Sequence, residues 1–184
     1  KGTSPYAISK QAFDDTLKAM YRVHGFQMNI IRPTNSYTPG QQLHRVIPKA
    51  IICALTGKRL PLHGGGAAQK SYIHSTDLSR AILEVATKGK VGKVYNCGPM
   101  TPISIKALLT HVAEACGVQF EELVEEVPDR TGQDACYWVN STELAKDTLW
   151  TQTIGLSNGL DGMVRWVKEY PEILTMDTAY VHRL

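Results

Sequence analysis

Segments of helical periodicity alternate with short apolar segments along most of this 184-residue chain. Residues 6–24 carry apolar side chains at the spacing of one helical face, with Pro5 at the first helical position and Gly25 at the end. The segment FQMNIIRP then predicts a strand that Pro33 ends, followed by a polar loop, TNSYTPGQQL. Because further helices and isolated apolar strands follow in turn, the sequence predicts an α/β fold.

The only glycine cluster lies in the segment LHGGGAAQK. A phosphate-binding glycine loop leads from a strand into a helix, whose N-terminus holds the pyrophosphate. This cluster instead leads into another predicted strand, so we interpret it as a hairpin turn between two short strands. A complete dinucleotide-binding domain opens with a strand, a GxGxxG turn and a helix, which this chain lacks. Because the chain also begins without a methionine, we expect Lys1 to be a cut end.

Charge and cysteine usage exclude several classes of protein. The 20 basic and 17 acidic residues give a formal net charge of +3 and are interleaved, so no nucleic-acid partner is expected. No apolar run approaches the roughly 18 residues that a membrane span requires. The four cysteines lack CxxC spacing, and we expect buried thiols without zinc or disulfides. The three tryptophans are expected to pack in the interior, and the spacing of the histidines suggests no metal site.

Tyr6 and Lys10 are four residues apart in the first predicted helix and therefore share one face of it. A free tyrosine has a pKa near ~10, and a neighbouring ammonium favours the phenolate form. Such a pair can accept a proton from a sugar or alcohol hydroxyl while hydride leaves the same carbon. The YxxxK spacing also occurs by chance in many helices, so on its own it leaves an ordinary surface helix as the alternative.

The sequence around this pair resembles a known enzyme family. The segment TSPYAISK is similar to the SPYxxSK signature of the extended short-chain dehydrogenases/reductases, in their NAD-dependent epimerase/dehydratase group. The segments IIRPTNSYTP, SYIHSTDLSRAI, KVYNCG and VPDRTGQD follow in that family's order and spacing. The resemblance covers essentially the whole chain, and the PDRxGxD segment favours the 4,6-dehydratases that act on dTDP-glucose and related nucleotide sugars. A 4-epimerase or decarboxylase of the same family remains an alternative.

The resemblance implies roles for particular residues. Tyr6 would be the catalytic base, and Lys10 would hold the nicotinamide ribose of NAD and tune the tyrosine. Pro33 and Asn35 would run past the nicotinamide and the substrate phosphates. The residues implied to bind the nucleotide-diphosphate sugar are Asn35, Arg45, His63, Lys70, Asn96, Arg130 and Gln133.

Three of these positions depart from the family pattern. His63 stands where tyrosine is common beside the nucleotide base, and Gln133 stands where histidine is usual. Lys70 replaces an arginine that clamps the diphosphate, which keeps the charge but loses the bidentate fork. Arg45 could equally be an arginine on a helix surface. The identity of the nucleotide and of the sugar therefore stays open.

The implied fold is the C-terminal part of a Rossmann-like doubly wound parallel sheet with a small α/β substrate-binding subdomain. Residues 1–40 would end the dinucleotide-binding domain, and residues 41–184 would be mainly the subdomain, with 72–97 returning to the sheet. The intact enzyme would be a cytoplasmic NAD-dependent homodimer whose glycine fingerprint and elimination acids lie upstream. We therefore expect the 184 residues alone to be inactive and to bind NAD poorly. A non-catalytic nucleotide-sugar-binding or interaction module is a further alternative.

Overall fold

A computed structural model describes residues 4–129 and 135–179 of the chain. The helices are α1 (Pro5–His24), α2 (Val46–Thr56), α3 (Ser75–Lys88), α4 (Ile105–Cys116), α5 (Phe120–Leu123), α6 (Thr142–Thr148) and α7 (Leu156–Glu169). The strands are β1 (Ile30–Pro33), β2 (Asn35–Tyr37), β3 (Leu60–His63), β4 (Gln69–Lys70), β5 (Tyr72–His74), β6 (Val94–Cys97), β7 (Ile103–Ser104), β8 (Val124–Val127) and β9 (Cys136–Tyr137). This alternation confirms the predicted α/β class.

Helix α1 begins and ends where the sequence predicts. The Ser4 hydroxyl accepts a hydrogen bond from the Ala7 amide at 3.2 Å, and Pro5 is the first helical residue. Gly25 ends the helix with φ 65°, a left-handed conformation that glycine adopts readily. No residue of α1 is buried, so the helix lies on the surface of the described part of the chain.

Parallel pairing brings distant segments together. Strand β1 pairs with β6, β2 pairs with β5, and β3 pairs with β8, each pair being parallel. The loop predicted for TNSYTPGQQL is therefore wrong at Asn35–Tyr37, which form strand β2. The polar composition of this segment concealed the strand, because Asn35 and Ser36 are paired through their backbone while only Tyr37 is buried.

The predicted hairpin at the glycine cluster is also wrong. Strand β3 pairs with β8, whereas β4 pairs with β7 and β9, so the strands on either side of the glycines do not pair with each other. The glycines form a 3-10 turn in which all three have positive φ, between 54° and 70°. A Cβ on Gly66 would lie 2.8 Å from the backbone nitrogen of Lys106. The turn thus needs glycine for its backbone conformation and for close packing against α4.

Buried apolar side chains form two clusters. The larger contains residues from α2, α4 and α7 together with β3 and β8, and Tyr37 belongs to it. The smaller joins α3 and β6 to Leu144 of α6 and to Trp150. The burial of Trp150 agrees with the sequence analysis, but the expectation for Trp138 is wrong, because its side chain is 45% exposed.

The cysteine prediction is correct for Cys53 and Cys97, which are buried, and wrong for Cys136, which is exposed on the short strand β9. A two-residue strand at the edge of a sheet offers little cover to its side chains, which explains the difference. Among the helices of residues 4–129 and 135–179, none is both long enough and apolar enough to cross a lipid bilayer.

Candidate active site

Tyr6 and Lys10 lie in the first two turns of α1 and are brought together as the spacing predicts. The Lys10 ammonium lies 5.7 Å from the centroid of the Tyr6 ring. The Tyr6 side chain is 71% exposed, so its hydroxyl is open to a ligand. The Ser9 hydroxyl donates to the Tyr6 carbonyl at 2.8 Å and supports the same turn of the helix. The pair is therefore an exposed tyrosine with a cation beside it.

Tyr37 shows the contrast between this tyrosine and a structural one. It is 2% exposed, and burial, reinforced by the nearby charge of Asp77, raises the pKa of Tyr37 to about 12. Its ring meets His74 edge-on, with centroids 5.4 Å apart. Tyr37 thus remains protonated in the interior, whereas Tyr6 is accessible.

An ion pair joins α1 to the first strand. Arg32 of β1 donates from Nε to Asp14 Oδ2 at 2.9 Å, and its Nη2 donates to the same oxygen. Asp14 lies one turn beyond Lys10. Neither residue is among those predicted from the sequence, although the spacing of Asp14 from Lys10 is a usable signal.

Asn35 begins strand β2, and one residue, Thr34, separates it from the end of β1. Its backbone amide and its side-chain Nδ2 both donate to the Ser71 carbonyl, each at 3.2 Å. Ser71 follows Lys70, the last residue of β4, so the structure brings Asn35 next to the segment that carries Lys70. Pro33 ends β1 opposite Cys97, and its carbonyl accepts a hydrogen bond from the Tyr137 hydroxyl at 3.4 Å. Pro33, Asn35 and Lys70 therefore lie around the ends of neighbouring strands.

His63 ends strand β3, where its half-buried imidazole contacts the end of β8. Its Nδ1 lies 3.0 Å from the Pro128 carbonyl oxygen, which can only accept, so Nδ1 carries the proton. A Cβ on the next residue, Gly64, would lie 2.7 Å from the carboxyl carbon of Asp129. Arg130 and Gln133, which the sequence predicts to bind substrate, lie outside the described residues.

Arg45 and Asn96 are placed separately. Arg45 is exposed at the N-terminus of α2, where it precedes the first helical residue without a side-chain cap. Asn96 is half-buried in β6, opposite Arg32. Within the described part of the chain, no hydrogen bond or ion pair joins either of them to another predicted site residue. No group of three His, Cys, Asp or Glu side chains there could hold a metal ion.

Asp77, in the first turn of α3, is a buried charge that was not predicted from the sequence. Its carboxylate is 0% exposed and accepts hydrogen bonds from Thr153 Oγ1 at 2.7 Å, the Ile154 amide at 2.8 Å and Arg80 Nη1 at 2.8 Å. Burial alone would raise the pKa of Asp77, but the bonds from Thr153 and Ile154 and the charge of Arg80 outweigh it and hold that pKa below its usual range. The hydrogen bonds of Asp77 therefore link α3 to the segment before α7.

Comparison with known proteins identifies the family of the chain. A family model described as the NAD dependent epimerase/dehydratase family matches residues 1–98, which include Tyr6, Lys10 and strands β1 to β6. The chain belongs to the NAD-dependent epimerase/dehydratase family. The predicted family is thereby confirmed.

Curated members of the epimerase/dehydratase family are similar along nearly the whole chain. The dTDP-glucose 4,6-dehydratase of Streptomyces griseus is 34% identical over 167 residues, which are 91% of this chain and 51% of the relative. The dTDP-glucose 4,6-dehydratase of Neisseria gonorrhoeae is 34% identical over 174 residues, 89% of this chain and 50% of the relative. The chain thus spans about half the length of the curated relatives it matches.

A solved structure shows the same fold. The dTDP-glucose 4,6-dehydratase of Bacillus anthracis, in complex with NAD, superimposes with a TM-score of 0.87 at 30% identity, covering 94% of this chain and 54% of that one. The UDP-glucose 4-epimerase of Thermotoga maritima has a TM-score of 0.86 at 22% identity, covering 93% of this chain and 55% of that one, and shows the fold alone. The Rossmann-like α/β fold predicted from the sequence is confirmed.

Proposed function

We propose that the protein containing this chain is an NAD-dependent nucleotide-sugar 4,6-dehydratase. The observation that carries the proposal is the exposed Tyr6 hydroxyl with the Lys10 ammonium 5.7 Å from its ring. The dehydratase relatives at 34% identity support this reaction over others of the family. Because the chain spans about half of these relatives, the activity is proposed for the whole protein, and the 184 residues alone are expected to be inactive and to bind NAD poorly.

The chain's own residues would hold substrate and move one proton. Tyr6 would accept the proton of the sugar 4-hydroxyl, and the neighbouring ammonium of Lys10 would stabilise the phenolate. The donors on this exposed face fit a nicotinamide ribose, so Tyr6 and Lys10, together with Pro33 and Asn35, would hold NAD. When bound there, NAD would supply the hydride acceptor and donor that a 4,6-dehydration needs, with oxidation at C4, loss of water across C5 and C6, and reduction at C6.

Substrate binding is proposed for the side chains around the strand ends. Lys70 would compensate diphosphate charge, since it directly precedes Ser71, whose carbonyl contacts Asn35. Asn35 has one amide hydrogen bond committed to Ser71 and would use the rest of the amide toward the ligand. His63 would lie beside the base. Arg45, Asn96, Arg130 and Gln133 complete the proposed contacts with the nucleotide-diphosphate sugar.

A homodimer and a cytoplasmic location are proposed for the intact protein. Several apolar side chains of α1 are exposed, which supports a contact between α1 and a second subunit in the whole enzyme. These residues are Ile8, Phe13, Met20 and Val23. The division into residues 1–40 and 41–184, with 72–97 returning to the sheet, also stays a prediction.

The proposal is tested on the protein expressed with all the sequence its gene encodes. It is incubated with NAD and either dTDP-glucose or UDP-glucose, and the products are identified by mass spectrometry. A dehydratase yields a sugar that has lost one water. Tyr6→Phe should lower kcat by about 10²–10⁴-fold, the range typical of a lost general base. Tyr170→Phe, which changes another exposed tyrosine, should leave kcat unchanged.

The products also separate the alternatives. An isomeric sugar of unchanged mass would indicate a 4-epimerase, and loss of carbon dioxide from a uronic acid substrate would indicate a decarboxylase. Binding of nucleotide sugars without turnover would indicate a non-catalytic module. Full activity of Tyr6→Phe would refute the assignment of Tyr6.

A further inference from the structure

Three functional groups follow one another along a single ridge of α1. Tyr6, Lys10 and Asp14 are spaced by four residues, so each lies one turn beyond the last on the same face. The Lys10 ammonium can therefore contact either of two neighbouring groups, the Tyr6 ring or the Asp14 carboxylate. It lies over the Tyr6 ring, and no ion pair joins it to Asp14 within the part of the chain that the structure describes.

Arg32 explains why Asp14 does not attract Lys10. The Arg32 guanidinium binds Asp14 Oδ2 through both Nε and Nη2. The Asp14 side chain is 16% exposed, so water compensates its charge only in part. A guanidinium that binds through two nitrogens is a strong and specific partner for such a carboxylate. Without Arg32, the Asp14 charge would face an ammonium one turn away.

The ion pair between Asp14 and Arg32 also holds α1 against strand β1. The helix buries none of its residues, so few contacts fix its position on the described chain. Near its C-terminal end, the Tyr21 ring packs against Gly92, where a Cβ would not fit. Asp14 and Arg32 provide an attachment closer to Tyr6, from the strand that leads to Pro33 and Asn35.

We propose that Arg32 is a positioning residue for Tyr6 and Lys10. Because Arg32 forms the ion pair with Asp14, the Lys10 ammonium does not pair with Asp14 and stays beside the Tyr6 ring. This inference rests on the proposed function, because it assigns Arg32 a part in the reaction of that same site. It assigns no contact with substrate or NAD to Arg32. If Arg32 is lost, Asp14 draws Lys10 away from Tyr6, and the tyrosine becomes a poorer proton acceptor.

The test is a double-mutant comparison in the whole protein. Lys18 lies one turn beyond Asp14, 3.7 Å from Asp15, and is replaced by Gln throughout so that only Lys10 can compensate a free Asp14. In this background Arg32→Met should lower kcat about tenfold and change the KM for the nucleotide sugar by less than about twofold. Adding Asp14→Asn removes the competing charge and should restore kcat to within about threefold of the background.

Several measurements separate this role from a structural one. Arg165→Met, a change of an exposed arginine on α7, should leave kcat unchanged. The kcat is measured well below the unfolding midpoints of both Arg32→Met and the double variant, so recovery of kcat in the double variant cannot reflect recovered stability. A double variant as slow as Arg32→Met, or an Arg32→Met variant within about twofold of the background, would overturn the proposal. If Tyr6→Phe stays active the proposed function fails, whereas an inactive Tyr6→Phe with no recovery in the double variant removes only the role of Arg32.

Discussion

Replacing Asp77 by Asn should strongly destabilise the described fold. The carboxylate is fully buried, and its two oxygens accept from two backbone amides, a hydroxyl and a guanidinium. In the variant, one oxygen becomes an NH₂ group that faces these donors, so at least one buried N–H or O–H loses its acceptor. Removing one partner of a buried charged network costs about 3–5 kcal/mol. Because Arg80 is 43% exposed and retains contact with water, we expect the lower end, about 3 kcal/mol.

Urea titration of the parent and of Asp77→Asn measures this loss, with far-ultraviolet circular dichroism and tryptophan fluorescence as probes. Trp150 is a built-in reporter, since its indole Nε1 donates to the Asp77 carbonyl at 3.0 Å. A suitable control is Asp15→Asn, which changes a carboxylate 59% exposed on α1. We expect the control to change the free energy of unfolding by less than about 0.5 kcal/mol. A loss below about 1 kcal/mol for Asp77→Asn would refute the reasoning.

The pH dependence of this difference provides a second test. The pKa of Asp77 is lowered in the folded chain, so its ionised form contributes stability that is fully present above the unfolded-state pKa of ~3.9. That contribution is lost as the pH falls through the lower pKa of the folded state. The gap in unfolding free energy between parent and Asp77→Asn should therefore narrow as the pH is lowered below about 4. A gap that stays constant on acidification would show that the charge is not the source of the stability.

Three further predictions concern backbone conformation, side-chain packing and the exposure of a thiol. Leu149 ends α6 at φ 61° with its side chain 85% exposed, so Leu149→Gly should raise the free energy of unfolding by about 0.5–1 kcal/mol in urea titrations. Gly159→Ala should lower the free energy of unfolding by about 1–3 kcal/mol, because the new Cβ would overlap the Tyr37 hydroxyl. The control Gly162→Ala should not lower the free energy of unfolding, because a Cβ at Gly162 would have no neighbouring atom within 4 Å. Cys136, exposed on β9, should account for the first thiol to react with a disulfide reagent in the native chain, and Cys136→Ser should abolish that phase.

The pairing of Tyr6 with Lys10 could be predicted because its geometry is local. Tyr6 and Lys10 lie on one helix, and a spacing of four residues places them together whatever the rest of the chain does. The contact of Asn35 with Ser71 could not be predicted in this way. It depends on strand β2 pairing with β5, and the polar segment that forms β2 carried no apolar alternation to signal a strand.

The ends of the helices and the α/β class were determined by the sequence itself. Ser4, Pro5 and Gly25 limit α1, and Gly57 ends α2 in a left-handed conformation. These signals act through hydrogen bonds between residues a few positions apart, so they need no tertiary partner.

Only the tertiary structure decided which strands pair and which charges meet. Strand β3 takes β8 as its partner instead of β4, so the glycine turn connects two sheets. Asp77 accepts hydrogen bonds from the segment before α7, and Asp14 forms its ion pair with Arg32 of β1. Pairing between distant segments depends on how several hydrophobic faces are buried together. A backbone group or a carboxylate therefore acquires its partner only when those faces have packed.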